Sequence, residues 1–370
     1  MSAWIRTEDE LAAFVGSLTG CRALAIDTES DSLHHHREKV CLIQVAPKGG
    51  PAQLIDPMAL RDLSPLGPVL ADPAVVKILH GADYDVTTLR RDFDFAFAGL
   101  FDTMLASRFL GFTEVGLQAV LGAEFGVRIS KGGQKDDWSR RPLTPQQEAY
   151  ALADVEHLVE LGERLSTRLM EMGRLTWARE ECDAVAALPA AQRRYEPDAY
   201  RRIKGASDLS PRGLAVLRDV HAWREARANE TDRPPFKIVQ NTTLLALAAS
   251  PPRTREDLAG APEATRLLRE AAVLLDVVAH ALALPDADLP RWRTTPRPVV
   301  PPAVRRRVET LKALRTREAT RLGLDPPLIL PQRLIDKLAE LAPRTIEELT
   351  AIEGLRRWRI ELLGAQLLAE

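Results

Sequence analysis

Cysteine is scarce in this 370-residue chain, aromatic residues make up only 5%, and no apolar run approaches the length of a membrane span. The three cysteines, Cys21, Cys41 and Cys182, are odd in number, scattered and without metal-ligand spacing, which argues against a disulfide framework or a zinc site. They read as reduced packing residues of a cytoplasmic protein. A bilayer crossing needs roughly 18–20 consecutive apolar residues, and Met1 to Leu18 mix charge with apolar positions instead of forming a signal-peptide core. No membrane is therefore expected. Nor is there a large excess of charge, since the net value is −2. That excludes a uniformly basic nucleic-acid binder, although local basic faces suffice for phosphate contacts. An acidic cluster would itself pull the total down. What remains is 45% apolar and 28% charged, a globular composition at a length that predicts two or three domains.

Up to about Met172 the pattern is mixed α/β. Short β-type runs occur at Ala23–Ile26, Val40–Val45, Gln53–Ile55 and Val75–Leu79, broken by Gly, Pro and Asp turns. Helical spacing follows at Val86, Leu89 and Phe93, at Met104, Leu105 and Leu110, and over Ala149–Leu165. After Cys182 only helices are predicted. This half repeats itself. Arg233-Pro234-Pro235-Phe236, Leu244–Ala248 and Pro252–Leu258 recur as Asp325-Pro326-Pro327-Leu328, Leu334–Leu338 and Pro343–Leu349, about 91 residues later. In each copy a threonine, Thr254 or Thr345, precedes acidic residues at capping-box distance, so each starts a helix.

The chemistry concentrates in acidic residues. In Ala23-Leu24-Ala25-Ile26-Asp27-Thr28-Glu29 the strand period places Asp27 and Glu29 on one face at the end of an apolar run. Two such charges about 4 Å apart repel by on the order of 4 kcal/mol at an effective dielectric near 20. A divalent cation turns that repulsion into attraction, and hard oxygen ligands suit Mg²⁺ or Mn²⁺. In His80-Gly81-Ala82-Asp83-Tyr84-Asp85, Asp83 is placed to cap the next helix and Asp85 falls in its first turn. In Tyr150-Ala151-Leu152-Ala153-Asp154, the i, i+4 spacing projects Tyr150 and Asp154 from one helix face. Each piece alone also fits a solvated or packed side chain. Together, four carboxylates are enough for a two-metal phosphodiester site.

In this order the residues resemble the DEDD exonucleases, specifically their tyrosine-containing branch. Lys77-Ile78-Leu79-His80-Gly81-Ala82-Asp83-Tyr84-Asp85 and Asp136-Asp137-Trp138-Ser139-Arg140-Arg141-Pro142-Leu143-Thr144 are similar to segments of the ribonuclease D family. The likeness extends over essentially the whole chain. The repeated unit, with Trp223-Arg224-Glu225 and Pro234-Pro235-Phe236, resembles the HRDC helical module shared by some helicases and that family. The resemblance implies an α/β ribonuclease-H-like exonuclease domain over 1–183, a mixed sheet flanked by helices. A linker over 184–207 and a first HRDC-like bundle over 208–289 follow, then a Pro-rich linker over 290–302 and a second bundle over 303–370.

It also implies a 3′→5′ exoribonuclease releasing nucleoside 5′-monophosphates with two Mg²⁺ or Mn²⁺ ions. Asp27, Glu29, Asp85 and Asp154 are the implied ligands, and Tyr150 orients the attacking water. The implied partner is RNA with a single-stranded 3′ end, as in transfer-RNA precursors, with no obligate protein partner. Leu33 matches the place where related enzymes press an apolar side chain on the terminal base. Gln44, His80, Lys131 and Gln134 are further candidate substrate contacts. Two alternatives stay open: a DNA 3′→5′ exonuclease with the same site, and a non-catalytic nucleic-acid-binding protein. His34-His35-His36 is expected to be a solvated loop, because three consecutive histidines cannot all face one ion. The basic run Arg305-Arg306-Arg307, Lys312, Arg315, Arg317 and Arg321 fits either an RNA path or an ion-pair face with Glu309 and Glu318.

Overall fold

The computed structural model describes residues 4–128, 132–192, 196–292 and 300–369. The chain gathers into two compact units. Met1–Ser30, Val40–Ala191 and Val299–Glu370 form one, and Asp31–Lys39 with Gln192–Pro298 form the other.

The first unit is built on a six-stranded sheet of order β1-β4-β3-β2-β5-β6. The strands are β1 (Trp4–Ile5), β2 (Ala23–Ser30), β3 (Val40–Pro47), β4 (Gln53–Ile55), β5 (Val76–Leu79) and β6 (Leu100–Asp102). β3 runs antiparallel to β2 and β4, while β2, β5 and β6 are mutually parallel. The expected mixed sheet flanked by helices is therefore the one that forms. The β-type runs of the sequence correspond to β2 to β5, while β1 and β6, of two and three residues, are not among them.

Alternation sorts β2 between two cores. Ala23 and Ala25 join a cluster with Leu158, Leu161 and Leu165, whereas Leu24 and Ile26 join one with Leu11, Val86 and Leu89. Asp27 and Glu29 continue the alanine face, which is the face covered by the later helices. A single helical run over Ala149–Leu165 is expected, yet the chain makes two helices, Pro145–Glu156 and Leu158–Glu171, parted at His157. The apolar stripe passes from Ala151, in the cluster around Trp138, to Val155, Leu158 and Leu161 in the larger core. A capping box of Thr144 and Gln147 starts the first of the two.

Residues 300–369 contribute to the interior of this same unit. Trp358 stacks on Trp177 with ring centroids 5.0 Å apart and meets Phe109 edge-on at 5.5 Å. The Arg359 guanidinium pairs with Glu181, and Arg174 donates to the carbonyls of Phe109 and Leu322 at 2.8 and 2.7 Å. Several cations on helix Pro302–Leu322 are spoken for. Arg321 and Arg317 meet Glu318, Lys312 meets Glu309, and Arg307 donates to the Ala339 carbonyl.

In the second unit, helix Pro211–Thr231 packs Leu214, Leu217 and Val220 against Leu244, Leu274 and Val278. The internal duplication is plain. Each copy opens with a 21-residue helix, Pro211–Thr231 or Pro302–Leu322, and Thr254 and Thr345 cap the short helices Arg255–Ala259 and Ile346–Thr350. The histidine loop departs from expectation, because it is fastened within this unit. His35 Nδ1 lies 2.8 Å from Asp232 Oδ2, and Asp232 Oδ1 accepts from the Arg37 N–H at 2.8 Å. Asp232 can do both because it ends its helix in the left-handed region, at φ 48°. Arg193 and Arg194 of the linker lie outside the described residues.

One buried cation helps hold the sheet of the first unit. Lys77 on β5 is fully buried and its Nζ donates to the carbonyls of Asp72 and Val75, each at 2.5 Å. Lys77→Met fills the same space but leaves those carbonyls without a donor. It should lower unfolding free energy by about 1–3 kcal/mol in denaturant melts, and an unchanged midpoint would disprove the role.

Candidate active site

Three of the carboxylates singled out from the sequence meet in space. One oxygen from each of Asp27, Glu29 and Asp154 lies within 4.8 Å of the others. Asp27 and Glu29 project from alternate positions of β2, and Asp154 from helix Pro145–Glu156. Tyr150, one turn earlier on that helix, hydrogen-bonds the Asp154 carboxylate. Asp85 stands beside this trio rather than within it. It is buried in the first turn of helix Asp83–Phe93, and its Oδ1 accepts the Thr28 hydroxyl. Thr28, between the two β2 carboxylates, was not a sequence candidate, since its partner lies 57 residues away.

Asp83 does not cap its helix as the sequence predicts. Ala82 occupies that position, and Asp83 falls in the first turn with Asp85. No side chain caps that helix. Asp102, at the end of β6, accepts from the Gly81 and Ala82 N–H groups at 2.9 Å, and also from Met104 and Leu105 at 2.8 and 3.3 Å. One buried carboxylate thus caps its own helix, Thr103–Phe109, and ties down the two residues that lead into the helix carrying Asp85.

Among the described residues, the electrostatics are those of crowded anions. Burial, then the charges of Asp85, Asp154 and Glu29, hold Asp27 well above the usual carboxylate range. Burial and then Asp154, Asp85 and Asp136 push Glu29 up to about 9. Burial raises Asp85 and Asp154 to about 6. Such a set is frustrated alone and satisfied by a divalent cation, so its donors fit a hard ion of the Mg²⁺ or Mn²⁺ kind. Burial and the neighbouring Asp154 and Glu29 raise the Tyr150 phenol above its ordinary value. It stays protonated at neutral pH, which suits a hydrogen-bond donor and not a base.

The 132–143 segment braces Tyr150. Trp138 is buried, its ring centroid 6.0 Å from that of Tyr150, and its indole N–H donates to the Gly133 carbonyl at 3.2 Å. Arg141 forks onto Asp56 at 2.7 and 2.8 Å and donates to the Cys41 carbonyl at 2.6 Å. Gly133 adopts φ +120°, and a Cβ there would come within 2.8–3.1 Å of the Tyr150 ring. The glycine richness of this stretch is therefore a packing requirement of the tyrosine. Gly133→Ala should push the phenol aside and lower kcat by about 10–100-fold. Single-turnover rates that match the unsubstituted enzyme would refute that.

Gln44 is fully buried on β3, directly opposite Asp27 in the strand register. His80 is held through Nδ1, 2.9 Å from the Thr103 hydroxyl, and burial lowers its pKa. Leu33 is 40% exposed and belongs to the second compact unit, not packed under a loop. Gln134 lies exposed in a turn, and Lys131 lies outside the described residues.

Comparison with known proteins agrees with this geometry. Residues 2–170 match the 3′-5′ exonuclease family, and residues 213–270 and 304–370 each match the HRDC domain. Ribonuclease D of Pseudomonas paraeruginosa is 34% identical over 370 residues, covering 99% of this chain and 96% of its own. Ribonuclease D of Acidiphilium cryptum is also 34% identical, covering 97% and 90%. The crystal structure of Escherichia coli RNase D, described as an exoribonuclease involved in structured RNA processing, superposes with a TM-score of 0.71. It shares 28% identity, covering 99% of this chain and 97% of that one. With its carboxylate cluster, its paired helical modules and these full-length likenesses, the chain belongs to the ribonuclease D family of 3′-5′ exonucleases.

Proposed function

We propose that this 3′-5′ exoribonuclease removes nucleoside 5′-monophosphates from single-stranded RNA 3′ ends with two divalent cations, Mg²⁺ or Mn²⁺. The observation that carries the reading is the convergence of Asp27, Glu29 and Asp154 within 4.8 Å, beside a buried Asp85. Those four carboxylates would hold the ions, with Asp85 toward the second one. When bound, the ions supply positive charge that acidifies the attacking water and stabilises the leaving 3′-oxygen.

The chain's own groups do the positioning. Protonated Tyr150, oriented by Asp154 and braced by Gly133 and Trp138, places the water for in-line attack on the terminal phosphodiester. The Thr28 hydroxyl fixes Asp85 through a hydrogen bond, and Asp102 fixes the helix start that carries it. The Escherichia coli relative's description supports structured RNA as the substrate class, within which precursors with a 3′ tail, transfer RNA among them, are the proposed substrates. A cytoplasmic place follows from such substrates, and no helix among the described residues is long and apolar enough to cross a membrane.

The test uses the full chain with matched RNA and DNA oligonucleotides, labelled at the 5′ end, some tailed and some blunt-paired. Expected are stepwise 3′ shortening of tailed RNA, 5′-monophosphate products, arrest at the duplex and complete inhibition by chelator. Binding without shortening under either metal would overturn the catalytic reading. Equal rates on DNA would overturn the preference for RNA.

A further inference from the structure

Gln44 has a problem that the metal-free fold does not solve. Its side chain is fully buried, yet among the described residues neither Nε2 nor Oε1 has a hydrogen-bond partner. A carboxamide presents two donors and a two-lone-pair acceptor, and burying it unsatisfied costs stability that an apolar residue would not. Among the described residues, no other side chain leaves both a buried donor and a buried acceptor unmatched.

Its address explains why it is there. In the antiparallel register of β2 and β3, Gln44 is paired with Asp27, and Leu42 with Glu29. Directly opposed residues share a sheet face, with Cβ atoms about 4.5–5.5 Å apart. Gln44 therefore stands on the same face as both β2 carboxylates, under the helix that carries Tyr150 and Asp154. An orphaned amide at the rim of a frustrated anion cluster has complementary needs. Its N–H groups want an acceptor such as a carboxylate oxygen. Its carbonyl oxygen wants a donor, and a water held by a divalent cation is a strong one.

We propose that Gln44 is a positioning residue for the cation site, satisfied only when the site is loaded. Nε2 donates to a carboxylate oxygen of the Asp27 cluster, and Oε1 accepts from a water of the ion's hydration shell. The residue thus exchanges stability of the empty fold for affinity of the filled one. This inference rests on the reading of Asp27, Glu29 and Asp154 as cation ligands.

The test pairs two measurements on the full-length protein: Mn²⁺ titration by calorimetry, and thermal melting in chelator. Gln44→Met keeps the length and removes both polar atoms. It should melt higher than wild type in chelator, because the orphans are gone, and bind Mn²⁺ about 10–100-fold more weakly. A residue that merely packs would move the other way, with lower melting and unchanged affinity, and that pair of results overturns the proposal. Gln44→Asn keeps the amide but withdraws it by one methylene, and should also weaken Mn²⁺ binding several-fold. Should Gln44→Met fail to fold, wild-type affinity in Gln44→Asn is sufficient to reject the role. Asp27→Ala is the control. If the wild-type chain itself takes up no Mn²⁺, the cation-site reading falls and this inference with it. If wild type binds and both Gln44 variants match it, only this inference falls.

Discussion

Asp27→Asn will reduce the rate of 3′ shortening by at least about 10³-fold, while the chelated protein melts no lower than wild type. Both halves follow from one geometry. Asp27 sits at the centre of the carboxylate cluster, its pKa raised by burial and then by Asp85, Asp154 and Glu29. Removing its charge takes away a cation ligand and also relieves repulsion among the survivors. Amide and carboxylate are nearly isosteric, so packing is undisturbed. The decisive assay combines 5′-labelled RNA with a melt of the same preparation. Retained activity in Asp27→Asn sinks the four-carboxylate reading. Lost activity with a much lower melting temperature would leave misfolding as the cause, and Glu29→Gln in parallel separates the two.

The second large effect is a dependence of stability on pH that reverses with metal. In the folded chain Glu29 is raised to about 9, Asp85 and Asp154 to about 6, and Asp27 is raised as well. In the unfolded chain these groups return to values near 4. Between those limits the folded state binds more protons than the unfolded state, so stability falls as pH rises. The contribution is fully present below about pH 4, shrinks through pH 6 as Asp85 and Asp154 ionise, and shrinks again toward pH 9 with Glu29. In chelator, melting temperature should therefore decline from pH 5 to pH 9. Saturating Mn²⁺ binds the ionised folded form, adding about 2.7 kcal/mol at 100 times Kd, and should hold or raise the midpoint at pH 8. Glu29→Gln should flatten the chelated slope. A slope unaffected by either the ion or that substitution would show that the cluster does not govern it.

What could be read in advance was whatever repeats over a short span. The alternation of β2 put Asp27 and Glu29 on one face, and the helical spacing joined Tyr150 to Asp154. Each needed only a handful of neighbouring residues. The features that escaped depend on partners distant in sequence. Asp102 reaches back 21 residues to hold the Gly81 N–H, while the helix that local spacing had Asp83 capping carries no side-chain cap. Thr28 answers to Asp85 across 57 residues. Gly133 is a glycine because of a ring at Tyr150, and nothing in its own neighbourhood announces that. Strands β1 and β6 escaped for a different reason, since two or three residues acquire strand geometry only from the partners that pair with them. The division at His157 leaves Val155 and Leu158 in one core cluster, so the apolar spacing runs through it unbroken.

The bond between Glu181 and Arg359 spans 178 residues, and that separation has a consequence during synthesis. Ribosomes elongate at roughly 5–20 residues per second. The apolar surface around Phe109 and Trp177 thus waits on the order of 10–40 s after its own emergence before Trp358 exists to cover it. The interior of the first unit cannot close until residues 358–359 have been made. A stop before residue 300 would yield not a smaller working enzyme but a chain with an open hydrophobic wall, a ready target for chaperones and proteases.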